Sequence, residues 1–545
     1  MSEREATLSA LLESRASDHR DAVALYDRDG AVTFGALADR VARLAAGLDR
    51  LGVGPGDVVA VWLPNSVAWL EAAFAVCLRG AVVLGVNTRY RAVEVQHALA
   101  ESGARVLVTR PGFLGIDFLG MLAEIGEALP ATLEHVVAIG EGGGGPAPEV
   151  PPTLGRPVTS WSDLARNDPT GTVPAPDPDA PGLAFSSSGS TASPKLVLHS
   201  QRATVQHSEA VADAFGYAAP HTVVLGALPV CGVFGLNSVL AALAVGRPVV
   251  LQEVFSADGA VELIRRHAIT HVNLADEMLA RILAAADPAT LPTWRETGFG
   301  NFTAVDPLEL VRAGDSAGKK FFQTYGSSEV FALLCYPAPG ADAERRARGG
   351  GVPVSERVGF RIRDTATGLL AAPGDAGEIE IAGPTLTVGY LNRPGIDDLG
   401  PDGWFRTGDI GVERPGRDLE YLSRMGDSLR LAGFLVSPRE IEAFLEDQPD
   451  VVAAQLVGVE TGNGTVPVAF VLASGPVDER TVIDRCRSSL AGFKVPRRVL
   501  VLDEFPVVPG TNGDKIQRTV LRELGARALA PTTGHGPARE DGDRP

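Results

Sequence analysis

Strand-like apolar runs alternate with amphipathic helical stretches through the N-terminal half of the chain. That alternation restricts the chain to layered α/β architecture on largely parallel sheets. VVAVWL (58–63) and RVLVT (105–109) are runs of the first kind, and FGALADRVARLAAGLDRLG (34–52) carries apolar residues at helical spacing. The rhythm returns at TVVLGALPV, RPVVLQEV and ITHVNLA, which predicts two α/β subdomains. From about Gly374 the pattern turns strand-rich, with GEIEIAG and DLEYLSR, and predicts a third, β-rich subdomain. Residues after about Leu429 read as a small α+β domain. Gly140 to Gly182, dense in Gly, Pro and Asp with one short helical candidate at Trp161–Arg166, reads as a mobile surface excursion.

Length and charge narrow the function classes. A chain of 545 residues exceeds one ordinary core, and 45% hydrophobic with 21% charged residues is a globular balance. A formal net charge of -18 argues against a general nucleic-acid binder or a ligand of anionic membranes, so a polyphosphate would need a locally built pocket. Cys77, Cys231, Cys335 and Cys486 are far apart and form no CxxC pair. Neither a disulfide framework nor a zinc site follows, and a reduced, cytoplasmic setting is expected. The N-terminus lacks signal-peptide character. The most apolar stretch, Val58–Val86, is broken by Pro64, Asn65, Glu71, Arg79 and Gly80, so no membrane span is expected.

The segment FSSSGSTASPKLVLHS (185–200) carries the most chemistry. Small hydroxyl and glycine residues, Ser187, Ser188, Gly189, Ser190 and Thr191, can turn N–H groups and hydroxyls toward a triphosphate, with Lys195 adding charge. The glycine-to-lysine spacing is not that of a Walker loop, and alone the segment reads equally as a Ser-rich linker. Three further segments, QTYGSSEV (323–330), GWFRTGDIG (403–411) and PGTNGDKIQRTVLRE (509–523), each read alone as a turn or a surface lysine before a helix.

Taken in order, these segments resemble the adenylate-forming superfamily of acyl-CoA synthetases, luciferases and adenylation domains. The resemblance spans about residues 20–525 and includes VTFGALADR, GDVVAVWLPN and NTRYRAVEVQHAL. Residues 187–196 are similar to the family's phosphate loop, with Ala192 and Leu196 replacing two glycines. The resemblance implies that Tyr325, beside Gly326, stacks on adenine, Ser328 touches the α-phosphate and Glu329 helps hold Mg2+. It implies that Asp409 accepts both ribose hydroxyls and that Arg424 contacts ribose and phosphate. Lys515 would bridge the nucleophilic carboxylate oxygen and the α-phosphate, while Gly433, with Arg430 on the same approach, would meet the arm of coenzyme A. It further implies a large AMP-binding domain at 1–425, a hinge at Gly426–Asp427 and a small mobile domain at 428–527; the tail at 528–545 is expected to be disordered on its terminal position alone.

The family's Pro-x-aromatic-His segment reads LPVCGVFGL here, so Cys231 and Gly232 stand at the expected pocket floor, with Gly298, Phe299 and Gly300 lining the same cavity. His199, His207 and His221 have no spaced partner and are expected to be structural or solvent-facing. The leading expectation is ATP-dependent adenylation of a carboxylate, aromatic or bulky, then transfer to coenzyme A. A carrier-protein thiol, an amine, or nitrite activation for diazotisation of an aryl amine stays open as an alternative acceptor chemistry. An inactive nucleotide-binding regulator is the rival from another class. A homodimer and a carrier protein stay open as partners.

Overall fold

The computed structural model describes residues 6–140, 151, 154–169, 175–186, 195–302, 305–393, 395–396, 398–425, 429–431, 434–436, 438–461, 464–490, 492–508 and 515–530. The chain divides into two compact units, residues 1–422 with 510–514, and residues 423–509 with 515–545.

Among the described residues, the large unit holds three sheets. An eight-stranded sheet runs Gly389–Tyr390, Leu196–Ser200, Pro181–Ser186, Val82–Gly85, Val58–Trp62, Val106–Thr109, His135–Ala138, Val158–Ser160. A seven-stranded sheet runs Lys320–Gln323, Glu296–Gly300, His271–Ala275, Val224–Gly226, Val249–Leu251, Val23–Asp27, Gly30–Thr33. Pairing is parallel through the centre of both, as continuous apolar runs buried on two faces require. One core joins Val59, Val61 and Val83 of the first sheet to Val224, Val249 and Phe322 of the second. Helix Val67–Leu78 lies in that layer and buries all but two of its residues, consistent with apolar residues around its whole circumference. Asn65 ties the sheets together: its amide donates to the Gly226 and Leu228 carbonyls, and its oxygen accepts from Val230 N–H at 2.9 Å.

The β-rich sheet is six-stranded among the described residues and starts earlier than the sequence pattern indicates, at Cys335–Tyr336. A two-residue strand has no readable period. The Gly140–Gly182 region also differs from a mobile excursion in its described parts. Val158–Ser160 pairs in parallel with Val136–Ala138 as the sheet's edge, Trp161–Ala165 is helical, and Leu154 is buried.

In the small unit, Val451–Thr461, Gly464–Ala473 and Arg498–Val501 form one sheet. Helix Arg518–Leu529 closes the described chain, so residues 528 and 529 of the expected disordered tail are helical; the tail from 531 lies outside the described residues. Glu442, 2% exposed, takes Leu456 N–H at 2.8 Å and the Arg518 guanidinium at 3.3 Å, which fixes the start of that final helix. No described helix is long and apolar enough to cross a membrane.

Candidate active site

Strands Pro181–Ser186 and Leu196–Ser200 pair antiparallel, Phe185 opposite Val197 and Ser186 opposite Leu196, so they form the two shoulders of the serine-rich segment. Ser187, Ser188, Gly189, Ser190 and Thr191 themselves lie outside the described residues. Lys195 opens the returning shoulder. Its Nζ lies 4.0 Å from Asp398 and 4.7 Å from the centre of the Tyr390 ring. Gly389–Tyr390 in turn pairs with Leu198 and Val197.

The Tyr325 segment arrives from the other sheet. It leaves strand Lys320–Gln323, makes a 3-10 turn over Ser328–Val330 and continues through Phe331, Ala332 and Leu333, three successive non-glycine residues with positive φ (58°, 56° and 42°). Left-handed backbone costs an L-residue roughly 1–2 kcal/mol, so packing around the turn must hold it. Gly326 is required here, because a Cβ would stand 2.7–2.8 Å from the Ala332 and Leu333 backbone. Ala332 N–H returns to Ser327 O at 3.0 Å and Leu334 N–H to Tyr325 O at 2.9 Å.

Elements from the first sheet then meet the turn. His199 Nε2 lies 2.7 Å from Ser328 O, and Thr387 N–H donates to Glu329 O at 2.7 Å. The Thr387 hydroxyl lies 2.7 Å from both Leu198 O and Gly389 O. Lys195, Ser328, Glu329 and Tyr390 are thereby tied into one corner of the large unit.

The ribose candidate joins the same corner through its side chain. The Tyr325 hydroxyl donates to Asp409 Oδ2 at 2.8 Å, and the Tyr325 ring stacks on Tyr421 with centroids 5.5 Å apart. Burial and the adjacent Asp409 carboxylate hold the phenol well above its ordinary pKa, so it stays a donor. Asp409 N–H is held by the Thr407 hydroxyl at 3.0 Å, and Gly408 N–H by Glu378 at 3.2 Å. A carboxylate presents two acceptor oxygens, which is the group a vicinal diol requires.

The residues expected to line the substrate pocket separate into two groups. Gly298 and Gly300 share one face of their strand, and the added Cβ atoms would meet Asn273 Oδ1 at 2.5 Å and the Phe302 ring at 2.5 Å. Phe299 lies between them on the strand and therefore faces the other way, where it is fully buried with Leu274, Leu310 and Phe321. That core position removes it from the expected lining. Gly232 caps helix Val233–Ala244, and the Cys231 backbone packs on Gly85, whose Cβ would stand 2.6 Å from Cys231 O. Burial pushes the Cys231 thiol up to about 12, which leaves it protonated.

Gly433, Gly426 and Asp427 lie outside the described residues, as do the side chains of Arg430 and Lys515. Lys515 falls in a short strand with Ile516, paired to Val507–Val508 of the small unit. Arg424 ends strand Asp418–Arg424 with its side chain exposed. Sequence reasoning missed Thr387, Tyr390 and Asp398, although the aromatic of TVGYLN was a visible signal, and it gave His199 no part in the site.

The model of the AMP-binding enzyme family matches residues 12–391, and that of the AMP-binding enzyme C-terminal domain matches 440–510. The chain belongs to the AMP-binding enzyme family. It is 31% identical to the 2-succinylbenzoate–CoA ligase of Geobacillus kaustophilus, over 97% of this chain and 99% of that protein. It is 32% identical to a 3-[(3aS,4S,7aS)-7a-methyl-1,5-dioxo-octahydro-1H-inden-4-yl]propanoyl:CoA ligase of Mycobacterium tuberculosis, over 95% and 99%. ATP-bound MatB from Rhodopseudomonas palustris superposes with a TM-score of 0.82 at 25% identity, covering 96% of this chain and 100% of that one. As a member of this adenylate-forming family the protein is an AMP-forming ligase, with a large N-terminal and a small C-terminal domain.

Proposed function

We propose that the protein adenylates a carboxylic acid with ATP, releases pyrophosphate and passes the acyl group to the thiol of coenzyme A. The observation that carries this reading is the meeting, in one corner of the large unit, of Lys195, Ser328–Glu329, Tyr325 and Asp409, residues up to 214 positions apart (409 less 195).

In the first half-reaction the acid's carboxylate oxygen attacks the α-phosphorus, and the bond to the bridging oxygen of pyrophosphate breaks. Asp409 and Tyr325 orient the nucleoside, the Ser328 hydroxyl meets the α-phosphate, and Lys195 and Lys515 offset the negative charge that gathers there. Glu329, half-buried on the turn, fits a magnesium ion, since that ion takes one or two protein carboxylates and completes its shell with phosphate oxygens and water. Bound there, magnesium neutralises phosphate charge. In the second half-reaction the thiol sulfur attacks the acyl carbonyl and AMP leaves; the family resemblance gives Gly433 and Arg430 the contact with the arm of coenzyme A. No covalent enzyme intermediate is needed.

Gly232, at the position where the family resemblance implies a His or an aromatic ring, supports an aromatic or branched acid over a simple long-chain one. We assign the enzyme to the cytoplasm from its four unpaired, buried cysteines. A panel of acids, with pyrophosphate release and coenzyme A consumption read in parallel, tests the proposal. The largest release with an aromatic or bulky acid and equal coenzyme A consumption supports it; release with coenzyme A untouched gives the second step to a carrier protein or an amine.

A further inference from the structure

The turn Ser328–Leu333, which includes the left-handed run Phe331–Leu333, is gripped by three buried side chains from elements remote in sequence. His199 Nε2 lies 2.7 Å from Ser328 O, Asn237 Nδ2 donates to Phe331 O at 2.7 Å, and His207 Nε2 lies 2.7 Å from Ala332 O. His199 belongs to the strand that returns from the serine-rich segment, His207 to helix Gln201–Ala214 and Asn237 to helix Val233–Ala244. All three are at most 1% exposed. The Phe331 ring sits between the imidazoles, 5.1 Å from His199 and 6.2 Å from His207.

A carbonyl oxygen offers lone pairs and no proton, so both imidazoles must carry hydrogen on Nε2 to make these contacts. Both Nδ1 atoms are buried and have no hydrogen-bond partner among the described residues. Burial pushes each imidazole down to about 4, so the rings stay neutral near pH 7. A packing role alone would be filled by Leu or Phe without leaving two buried ring nitrogens unsatisfied, which is costly. What the imidazoles supply is a rigid donor at a fixed reach, aimed at the carbonyls of a turn that local preference would unwind.

We propose that His199 and His207 are positioning residues for the adenylating step: as neutral Nε2–H donors they hold the backbone on which the Ser328 hydroxyl and Glu329 carboxylate are mounted. The inference rests on the reading of Ser328 and Glu329 given above. It adds that their aim is set from the returning shoulder of the serine-rich segment, so that the two phosphate-facing elements are coupled by a side chain.

Gln and Asn at position 199 separate reach from polarity. Both are neutral amides, but Gln can place its nitrogen near that of Nε2 and Asn falls one methylene short. Full-length His199→Gln, His199→Asn and Glu329→Gln enzymes are compared with wild type for thermal midpoint, kcat of pyrophosphate release and magnesium concentration at half-maximal rate. His199→Gln is expected within about threefold of wild type. His199→Asn is expected to lose about 10- to 100-fold in kcat and to need several-fold more magnesium, moving in the direction of Glu329→Gln, because a small displacement of reacting groups costs rates of that order. A His199→Asn enzyme with the kcat and magnesium requirement of His199→Gln overturns the inference while Glu329→Gln remains impaired. A Glu329→Gln enzyme with wild-type magnesium dependence removes the motif reading and this inference with it. If the position 199 variants do not fold, the Gln and Asn pair at position 207, read by the same criteria, decides it.

Discussion

The Tyr325 hydroxyl donates to Asp409 across 2.8 Å, a contact between residues 84 positions apart that joins the turn bearing Ser328 and Glu329 to the strand bearing the ribose candidate. Removing the carboxylate in Asp409→Ala is expected to cost about 1.5–3 kcal/mol of nucleotide binding, because a charged acceptor is lost and buried donors remain. Tyr325→Phe keeps the ring stack on Tyr421 and loses the donor, and its effect on ATP KM should be smaller. Equal, wild-type KM values in both variants would show that the ribose assignment is wrong.

Lys515 serves only the adenylating arrangement in the proposed cycle. Lys515→Ala should therefore abolish pyrophosphate release from ATP and acid while sparing thioester formation from supplied acyl-adenylate. The two half-reactions are assayed separately, and equal loss in both contradicts a lysine specific to the first.

Gly232 caps helix Val233–Ala244 without a side chain, at the position where the family resemblance implies an imidazole or aromatic ring. Gly232→His should depress turnover of a bulky aromatic acid more than that of a small one, as the ring refills the space. Unchanged relative kcat/KM across acids places position 232 outside the pocket.

Glu296 gives a pH signature of stability away from the chemistry. Burial raises its carboxyl from the ordinary 4.5 to about 7, with Tyr336 donating to it at 2.9 and 3.0 Å. The folded state therefore binds a proton that the unfolded state releases. That contribution is full below about pH 4.5 and disappears as pH rises through about 7. The thermal midpoint of Glu296→Gln minus that of wild type should thus increase from about pH 5 to about pH 8; a difference independent of pH contradicts the assignment.

The parallel α/β layers were legible because buried strands and amphipathic helices have distinct periods. The proximity of Tyr325 and Asp409 was expected only from the order of their segments, and their contact is seen in the fold. His199 and Thr387 were not legible: what they bind are backbone carbonyls and N–H groups on distant segments, which leave no trace in spacing. Phe299 shows a different failure, since strict alternation along ETGFG already turns it away from Gly298 and Gly300, toward the core. The strand Val158–Ser160 was obscured by the Gly- and Pro-rich sequence around it, and its place comes from pairing with Val136–Ala138.

Isotope exchange between pyrophosphate and ATP, measured with a panel of carboxylic acids and no thiol or amine acceptor present, tests the central claim most directly. Reversible adenylation predicts exchange that requires an acid, saturates with it and vanishes in Lys515→Ala. Formation of ADP and orthophosphate instead, or no exchange with any acid, would contradict it.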